Sequence, residues 1–270
     1  MPPQLNPPII ALLSDMGLSD WYVGTMKGVA LSICPAAHLV DICHDIRKQN
    51  VEEAAFVLRN CYRYFRPGTV FLCVVDPSVG SERHGLVARS ADYYFVTPDN
   101  GLLSLLSLDA AGWETRVIGN PEIRLSEPSQ TFHGRDIFAP AAAHLARGMV
   151  FEHFGPPLAD PVQLPSIERV RLSGNSLTGQ ITYIDSYGNL ITNLTRDMLP
   201  EAVDPRRFRL RLKERTMQGI SPHYAAVPVN HPLMYWGSSG LLEIGINYGS
   251  AAHKWSVQIG ECFELEWSTG

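Results

Sequence analysis

In its N-terminal half the chain alternates short, continuous apolar runs with segments whose apolar residues recur at helical spacing. The runs predict strands over residues 8–13, 37–42, 69–75 and 93–96, and the spacing predicts helices over 21–33, 51–64 and 136–147, with another helix starting at 101. Because crossover helices join parallel strands, this alternation predicts an α/β fold: a mostly parallel sheet covered by helices on both faces.

The segment Phe154–Pro165 (FGPPLADPVQLP) places prolines where they prevent both a helix and a central strand. We therefore predict an N-terminal α/β domain over residues 1–155, a proline-rich linker over 156–165 and a smaller C-terminal domain over 166–270. The C-terminal part is β-rich, which predicts a β-barrel or a sandwich, with strand-like stretches at 177–184, 207–212, 241–247 and 262–267.

Composition narrows the class of protein. Of the 270 residues, 45% are hydrophobic and 18% are charged, as in soluble globular proteins, and no apolar run suits a membrane span. The net charge of −5 comes without a basic cluster, so nucleic acid is not an expected partner. The starting segment MPPQLNPP lacks the basic residues of a secretory signal, so we expect a cytoplasmic location.

The cysteines point away from disulfides and zinc. There are five, an odd number, at Cys34, Cys43, Cys61, Cys73 and Cys262. None of them forms a C-x-x-C pair, and most have apolar neighbours.

The segment FLCVVDPSVGSER carries the strongest candidate for chemistry. Its apolar run ends at Val75 and delivers Asp76 and Arg83 to the carboxyl end of a predicted strand, and TFHGRDIFAP adds His133. An acid, a guanidinium and an imidazole at the mouth of an α/β sheet suit the holding of a water molecule for nucleophilic attack. Structural alternatives stand beside this hypothesis: Asp76 can start a turn, Arg83 can simply pair with an acid, and His133 can be a surface or satisfied histidine.

Asp15 and Asp20 frame the loop SDMGLSD after the first predicted strand. A carboxylate in such a loop can accept hydrogen bonds from ribose hydroxyls or face a cationic amine. Alternatively, Ser19 or Asp20 caps the helix that follows.

Two further motifs stand at turns. In YIDSYGNLITN, polar residues interrupt a β-like stretch, so the motif is either a plain hairpin turn at Gly188 and Asn189 or a recognition surface for a purine. TPDNGLLS, residues 97–104, is a strand–turn–helix junction for which we predict a structural role.

Taken together, six segments resemble the S-adenosyl-L-methionine (SAM) hydrolases, also called SAM hydroxide adenosyltransferases, which are related to the fluorinases and chlorinases. The segments span nearly the whole chain: LLSDMGLSDWYVGTMKGV, VVDPSVGSER, TPDNGLLS, TFHGRDIFAP, YIDSYGNLITN and SSGLLEIGINYGSA. The resemblance implies an N-terminal α/β domain, a C-terminal β-barrel and a homotrimer with sites between the N-terminal domain of one subunit and the C-terminal domain of the next.

The resemblance also implies roles for residues. Asp76, Arg83 and His133 would surround the water or hydroxide, and Asp15 would bind the ribose. The other positions divide into acids near the methionine amine (Asp20, Asp185), serines at its carboxylate (Ser238, Ser239), adenine contacts (Asn189 and the backbone near Tyr248) and aromatic walls (Phe132, Tyr187). The implied reaction is the hydrolysis of SAM to adenosine and L-methionine, with SAM as substrate and neither a cofactor nor a metal.

Three rival functions stay open. The halogenases replace the acid and the imidazole of this cluster and carry an inserted segment after the position of Arg83. This chain keeps Asp76 and His133 and has only a short connection there, and both differences favour water over halide. A metal-dependent, phosphatase-like hydrolase would use acids and histidines at strand ends, although the fixed spacing of a metal motif is missing; its ligands would be Asp15, His44, Asp45, Asp76 and His133. A non-catalytic nucleoside- or SAM-binding protein would keep Asp15 and Asn189 without turnover.

Overall fold

A computed structural model describes residues 6–107, 112–165, 170–201 and 203–268 of the chain. The chain divides into two compact units, Met1–Leu164 and Pro165–Gly270. The predicted start of the C-terminal domain, residue 166, lies outside the described residues. So does most of the segment MPPQLNPP, on which the expected cytoplasmic location rests. Within those ranges no helix is long and apolar enough to cross a membrane.

The first unit contains a mixed sheet with helices. Its strands are β1 (Ile9–Ser14), β2 (His38–Cys43), β3 (Val70–Val74), β4 (Gly85–Arg89), β5 (Tyr94–Pro98) and β6 (Glu114–Val117), and its helices are α1 (Tyr22–Ile33), α2 (Val51–Cys61), α3 (Ser104–Ser107) and α4 (Ala139–Ala146). The strand order is β2-β1-β3-β5-β4-β6. The first four strands in this order pair in parallel, and β4 pairs antiparallel with both β5 and β6.

The predicted parallel strands are confirmed, and β4 and β6 are additions that the apolar pattern missed. Strand β6 reads ETRV, which is too polar to give an apolar run, and β4 is a short segment within the connection that follows Arg83. The short β4 strand reverses the chain and makes the sheet mixed.

Both faces of this sheet are covered, as the α/β prediction requires. Ile10 and Leu12 of β1 face a core shared with α1 and α4, whereas Ala11 and Leu13 face a second core shared with α2. Strand β3 alternates in the same way and is buried along its whole length. A strand buried on both faces must be apolar throughout, which explains the continuous run that precedes Asp76.

The predicted helices form with adjusted ends. Helix α2 begins after Asn50, whose side chain accepts a 2.9 Å hydrogen bond from the backbone N–H of Glu53. It ends at Cys61 and continues as a 3₁₀ turn over Tyr62–Tyr64. The last predicted helix starts instead as a π-helical turn over Gly134–Phe138, which leads into α4.

The second unit is a nearly closed, barrel-like antiparallel sheet. Its elements are β7 (Arg171–Ser173), β8 (Ser176–Ile184), β9 (Leu190–Thr195), β10 (Phe208–Leu212), β11 (Arg215–Gln218), β12 (Pro232–Trp236), β13 (Leu241–Ile246), α5 (Ala251–Trp255) and β14 (Cys262–Trp267). The order is β11-β10-β14-β8-β9-β13-β12, with β7 beside β8. A bridge between Ile220, just after β11, and Met234 of β12 brings the two ends of this order together. The barrel expectation is therefore confirmed over the sandwich.

Candidate active site

Asp76 and Arg83 form a two-point ion pair just beyond the end of β3. Arg83 Nε donates a 2.9 Å hydrogen bond to Oδ1 of Asp76, and Arg83 Nη2 donates to Oδ2. The side chains of Asp76 and Arg83 are only 6% and 8% exposed, and the guanidinium lies 5.2 Å from the ring centre of Phe138. The planar fork matches the carboxylate, so the two groups hold each other in one orientation.

His133 joins this pair through the same guanidinium nitrogen. Arg83 Nη2 donates a 2.7 Å hydrogen bond to Nδ1 of His133. Because an arginine only donates, Nδ1 must accept, which leaves the ring proton on Nε2 of a neutral imidazole. Burial and the Arg83 charge lower the pKa of His133 below its usual value, and the nearby acids Asp76 and Asp136 oppose that shift only in part.

The loops that carry these three residues touch directly. Gly80 has a φ of +83°, and a Cβ there would lie 2.5 Å from the carbonyl oxygen of Gln130. Only glycine fits that backbone and that gap, so the loop bearing Arg83 lies closely against the segment that leads to His133. Asn100 supports the other side, because its Nδ2 donates a 2.8 Å hydrogen bond to the carbonyl of Val75.

The structure holds Asp15 in a loop tied to the segment after β2. Asp15 Oδ2 accepts a 2.7 Å hydrogen bond from the backbone N–H of Gln49, and Lys48 Nζ donates to the Asp15 carbonyl. The neighbouring Met16 lies against Gly134, where a Cβ would be 3.2 Å from the Met16 methyl group. The Asp15 loop and the His133 segment are thus adjacent in the first unit.

Sequence reasoning missed a polar chain that runs from the buried Ser14, next to Asp15 in the chain, to the partly exposed Asp41 and Lys27. Ser14 Oγ and His44 Nδ1 are 2.7 Å apart, His44 Nε2 and Asp41 Oδ1 are 3.0 Å apart, and Asp41 Oδ2 accepts a 2.6 Å hydrogen bond from Lys27. Ser14 and His44 are buried, at 0% and 4% exposure. Polar residues at strand ends were the available signal, but their pairing depends on the packing of β1 beside β2.

Asp20 and Phe132 both lie in the first unit, near the start of α1. Helix α1 begins after Trp21, so neither Ser19 nor Asp20 occupies its N-cap, and the capping alternative is wrong. Asp20 is exposed, and the buried Phe132 ring meets Tyr22 edge-on with 5.1 Å between ring centres.

In the second unit, Tyr187, Asn189 and Tyr248 line one cavity of about 460 Å³, together with Tyr224, Ile246 and Gly249. Asn189 is 5% exposed, while Tyr187 and Tyr248 are 80% and 87% exposed. A cavity with aromatic walls and a buried amide suits a planar heteroaromatic ring. The hairpin alternative also holds in part, since Gly188 and Asn189 do lie in the turn between β8 and β9.

Asp185 closes that turn. Its Oδ1 accepts hydrogen bonds from the backbone N–H groups of Tyr187 (3.0 Å) and Asn189 (2.8 Å), and its Oδ2 accepts one from Asn189 Nδ2 (2.8 Å). The Asp185 carboxylate therefore orients the Asn189 amide within the cavity wall. Ser238 and Ser239 lie exposed in the turn between β12 and β13.

No group of three or more His, Cys, Asp or Glu side chains that could hold a metal ion is found within the described ranges. Three of the five ligands of the metal hypothesis have other partners. Asp76 and His133 both bind Arg83, and His44 is hydrogen-bonded to Ser14 and Asp41. A guanidinium between an acid and an imidazole places positive charge where a metal ion would need negative ligands.

Comparison with known families matches both units. The model described as "SAM hydroxide adenosyltransferase N-terminal domain" matches residues 10–155, and the model described as "SAM hydroxide adenosyltransferase C-terminal domain" matches residues 179–264.

Individual proteins are similar along almost the full length. The chain is 35% identical to an (R)-S-adenosyl-L-methionine hydrolase of Thermus thermophilus, over 93% of this chain and 96% of that protein. It is 30% identical to a fluorinase of Nocardia brasiliensis, over 94% and 95% of the two chains. A crystal structure of an uncharacterized conserved protein from Thermotoga maritima superposes with a TM-score of 0.88 at 35% identity, covering 95% of this chain and 99% of that one.

Proposed function

We propose that this chain, which belongs to the SAM hydroxide adenosyltransferase family, hydrolyses S-adenosyl-L-methionine to adenosine and L-methionine. The family is one of enzymes, and relatives of this chain include proteins named as SAM hydrolases and as fluorinases. The choice between water and halide as the nucleophile therefore rests on the residues around the reacting atom.

The cluster of Asp76, Arg83 and His133 is the observation that carries the proposal. It combines a carboxylate that can accept a proton, an imidazole whose Nε2–H can donate to an oxygen, and a guanidinium that holds both. A halide ion has no proton to give up and gains nothing from a carboxylate beside it. Water gains both an acceptor for its proton and a donor to its oxygen.

The reaction balances with these groups alone. The water oxygen forms a bond to the ribose C5′, the C5′–sulfur bond breaks with its electron pair going to sulfur, and methionine leaves as a neutral thioether. Asp76 accepts the proton that the water loses and passes it to solvent. Each carboxylate oxygen has two lone pairs, so Asp76 can accept a proton while Arg83 remains bound.

Charge and position both accelerate the attack of water on C5′. The developing hydroxide and the sulfonium have opposite charges that cancel as the bond forms, so fixed dipoles in a dry site favour the transition state. Holding water within about 3–3.5 Å of C5′ removes much of the entropic cost of a bimolecular step.

The remaining candidate residues form the proposed substrate contacts. Asp15 binds the ribose, Phe132 and Tyr187 wall the adenosyl group, and Asn189 with the backbone near Tyr248 reads adenine. Asp20 and Asp185 face the methionine amine, and Ser238 and Ser239 bind its carboxylate. Because Asp185 already accepts three hydrogen bonds within its own turn, its proposed contact with the amine uses the one lone pair that remains, on Oδ2.

We also propose a homotrimer with sites between unlike domains of neighbouring subunits. Exposed large side chains support this assembly. Leu18 and Trp21, next to Asp20 in sequence, are 65% and 68% exposed in one unit, and the candidate residues Tyr187 and Tyr248 are exposed in the other. Sedimentation equilibrium measures the mass directly, and a monomer at assay concentration would contradict the assembly. The cytoplasmic location stays a prediction.

The deciding experiment incubates the purified chain with SAM in ¹⁸O-enriched water and follows products by chromatography and mass spectrometry. Hydrolysis at C5′ predicts adenosine with one ¹⁸O in its 5′-hydroxyl, together with unlabelled methionine. Unlabelled adenosine, or label elsewhere in the products, would contradict water attack at C5′.

Parallel incubations test the rivals. A halogenated nucleoside formed with chloride or fluoride present would identify the halogenase, which the fluorinase relatives keep as the second candidate. Loss of activity with EDTA, restored by a divalent cation, would identify a metal-dependent hydrolase. Binding of SAM without any product would identify a non-catalytic binding protein.

A further inference from the structure

A buried hydrogen-bonded chain runs behind the wall of the 460 Å³ cavity in the second unit. Tyr235 of β12 and Glu243 of β13 are directly opposite each other in the antiparallel pair, and Tyr235 Oη donates a 2.6 Å hydrogen bond to Glu243 Oε2. Tyr235 Oη is also hydrogen-bonded to Tyr224 Oη. Tyr224 lines the cavity, so the chain connects a buried carboxyl group to the cavity surface.

The other carboxyl oxygen of Glu243 lies against the turn between β12 and β13. A Cβ added at Gly237 would overlap Oε1 of Glu243, so the carboxyl group occupies the space beside the Gly237 backbone. Gly237 opens the turn that carries Ser238 and Ser239, and its N–H donates a 2.9 Å hydrogen bond to the Leu241 carbonyl. One carboxyl group therefore contacts both the cavity wall, through Tyr235, and this turn.

Close packing leaves these side chains little freedom. A Cβ at Gly245 would lie 2.8 Å from Asn189 Oδ1, 3.1 Å from Tyr224 Cε1 and 3.2 Å from Tyr235 Cε1. Three side chains thus converge on the bare backbone of Gly245. Displacing the Tyr235 ring would disturb Tyr224 and the Asn189 amide together.

The buried carboxyl group costs stability that an apolar residue would not. Glu243 is 8% exposed within a strand whose other side chains are buried and mostly aliphatic. Burial raises the pKa of Glu243. The hydrogen bond from Tyr235 opposes this rise, and the negative charge of Asp185 increases it. Replacing both members of a buried polar pair by apolar residues is often neutral or stabilising, so stability alone does not account for the Tyr235–Glu243 pair here.

We propose that Glu243 is a positioning residue that holds Tyr224 in the cavity wall through Tyr235 and, through its contact with Gly237, holds the turn bearing Ser238 and Ser239. The identity of the ligand, an adenosyl group, rests on the proposed function. The positioning itself rests only on the contacts of Glu243, Tyr235 and Tyr224.

The test uses the full-length protein with three substitutions and measures adenosine affinity by calorimetry, thermal midpoint, and kcat and KM for SAM. Tyr235→Phe removes the linking hydroxyl, Glu243→Leu removes the carboxyl group while keeping its approximate volume, and Glu243→Gln keeps an acceptor for Tyr235. The matched controls are Tyr64→Phe and Glu214→Gln, both at exposed positions.

We expect Tyr235→Phe and Glu243→Leu to weaken adenosine binding about 3- to 10-fold, the typical effect of one lost hydrogen bond. KM for SAM should rise by a similar factor while kcat changes less than twofold. Glu243→Gln should restore affinity to within about twofold of wild type. The thermal midpoint of Glu243→Leu should fall, because the buried Tyr235 hydroxyl loses its acceptor. The raised KM at nearly unchanged kcat and the recovery of affinity in Glu243→Gln separate positioning from a general structural role.

Wild-type affinity in both Tyr235→Phe and Glu243→Leu would overturn the proposal, and Tyr235→Phe alone decides if Glu243→Leu does not fold. The two proposals fail in different ways. A wild-type protein that binds adenosine but leaves SAM unchanged contradicts the hydrolase proposal, while the variants' adenosine affinities still decide the positioning. A wild-type protein that does not bind adenosine overturns the positioning proposal whatever its activity.

Discussion

Arg83 Nη2 donates a 2.7 Å hydrogen bond to Nδ1 of His133, a residue 50 positions later in the chain. This contact decides which nitrogen of the imidazole carries the proton. It also places a permanent positive charge beside the ring. The chemistry available to His133 is thus set by a partner that neither neighbouring sequence nor helix periodicity identifies.

The first prediction concerns pH. Because burial and the Arg83 charge lower the pKa of His133, the imidazole in the folded protein stays neutral below pH 6.5, the ordinary value. We expect kcat/KM to persist as pH falls through 6.5 and to decline only at the lowered pKa. A pH–rate profile in wild type and His133→Gln measures this, and a wild-type decline centred above pH 6.5 would contradict it.

The same shift has a consequence for stability. As pH falls below 6.5, the unfolded chain gains a proton on His133 before the folded protein does. The free energy of unfolding therefore decreases as pH falls through that range. Above pH 6.5 both states are neutral at this residue, and it contributes no pH dependence. The free energy of unfolding of His133→Gln should therefore fall less steeply with acidification than that of wild type.

Replacing the guanidinium fork tests the ion pair. Arg83→Lys keeps the charge but cannot donate in parallel to both oxygens of Asp76 while also reaching His133. We expect kcat to fall by about 100-fold or more, the usual scale for losing a preorganised donor. Arg206→Lys, at an exposed ion pair, is the matched control and should retain wild-type kcat. Equal rates in the two variants would remove Arg83 from the mechanism.

Gly80 offers a separate test of how the site loops meet. Gly80→Ala strains a backbone at φ +83° and places a methyl group 2.5 Å from the Gln130 carbonyl oxygen. Gly68→Ala imposes the same strain at φ +84° with no atom of the described residues within 4 Å. Both variants should lose about 1–2 kcal/mol from backbone strain, and only Gly80→Ala should lower kcat, by about 10-fold or more for a misplacement of this size. Indistinguishable kcat values would contradict the close contact.

The hydrogen bonds of the buried Ser14, the residue before Asp15, predict an effect on the Asp15 loop. Ser14→Ala leaves His44 Nδ1 and the Met16 N–H without the Ser14 hydroxyl, at a cost of about 1–3 kcal/mol. We expect a lower thermal midpoint and a raised KM for SAM, because the Asp15 loop loses its support. Ser32→Ala, which removes an exposed hydroxyl bonded to the Gly28 carbonyl, is the control and should change neither.

Much of the first unit could be predicted from periodicity. Strand β3 is buried on both faces, so it had to be apolar throughout, and such a run is readable from sequence. Strand β6 could not be read because ETRV is half-buried and polar. The segment forms a strand because it pairs with β4, and its local composition does not indicate this.

The candidate site divides along the same line. Asp76 and Arg83 could be singled out because they follow a buried strand at turn spacing. The role of Gly80 against Gln130, the support of Asp15 by Ser14 and His44, and the link from Glu243 to Tyr224 escaped sequence reasoning. Each of these contacts joins different elements, and a repeat of two or 3.6 residues carries no information on which elements become neighbours.

The amino-acid pattern is enough to place an α/β unit before a β-rich unit, and an acid, a guanidinium and an imidazole at segment ends. Burial imposes this pattern, because each strand or helix must turn its apolar side chains toward a core. The packing of elements far apart in the chain is what lets one arginine bind both Asp76 and His133 and lets a glutamate on β13 reach the cavity wall through Tyr235. Hydrogen bonds act over about 3 Å, so their partners are known only after the chain has brought distant residues within that distance.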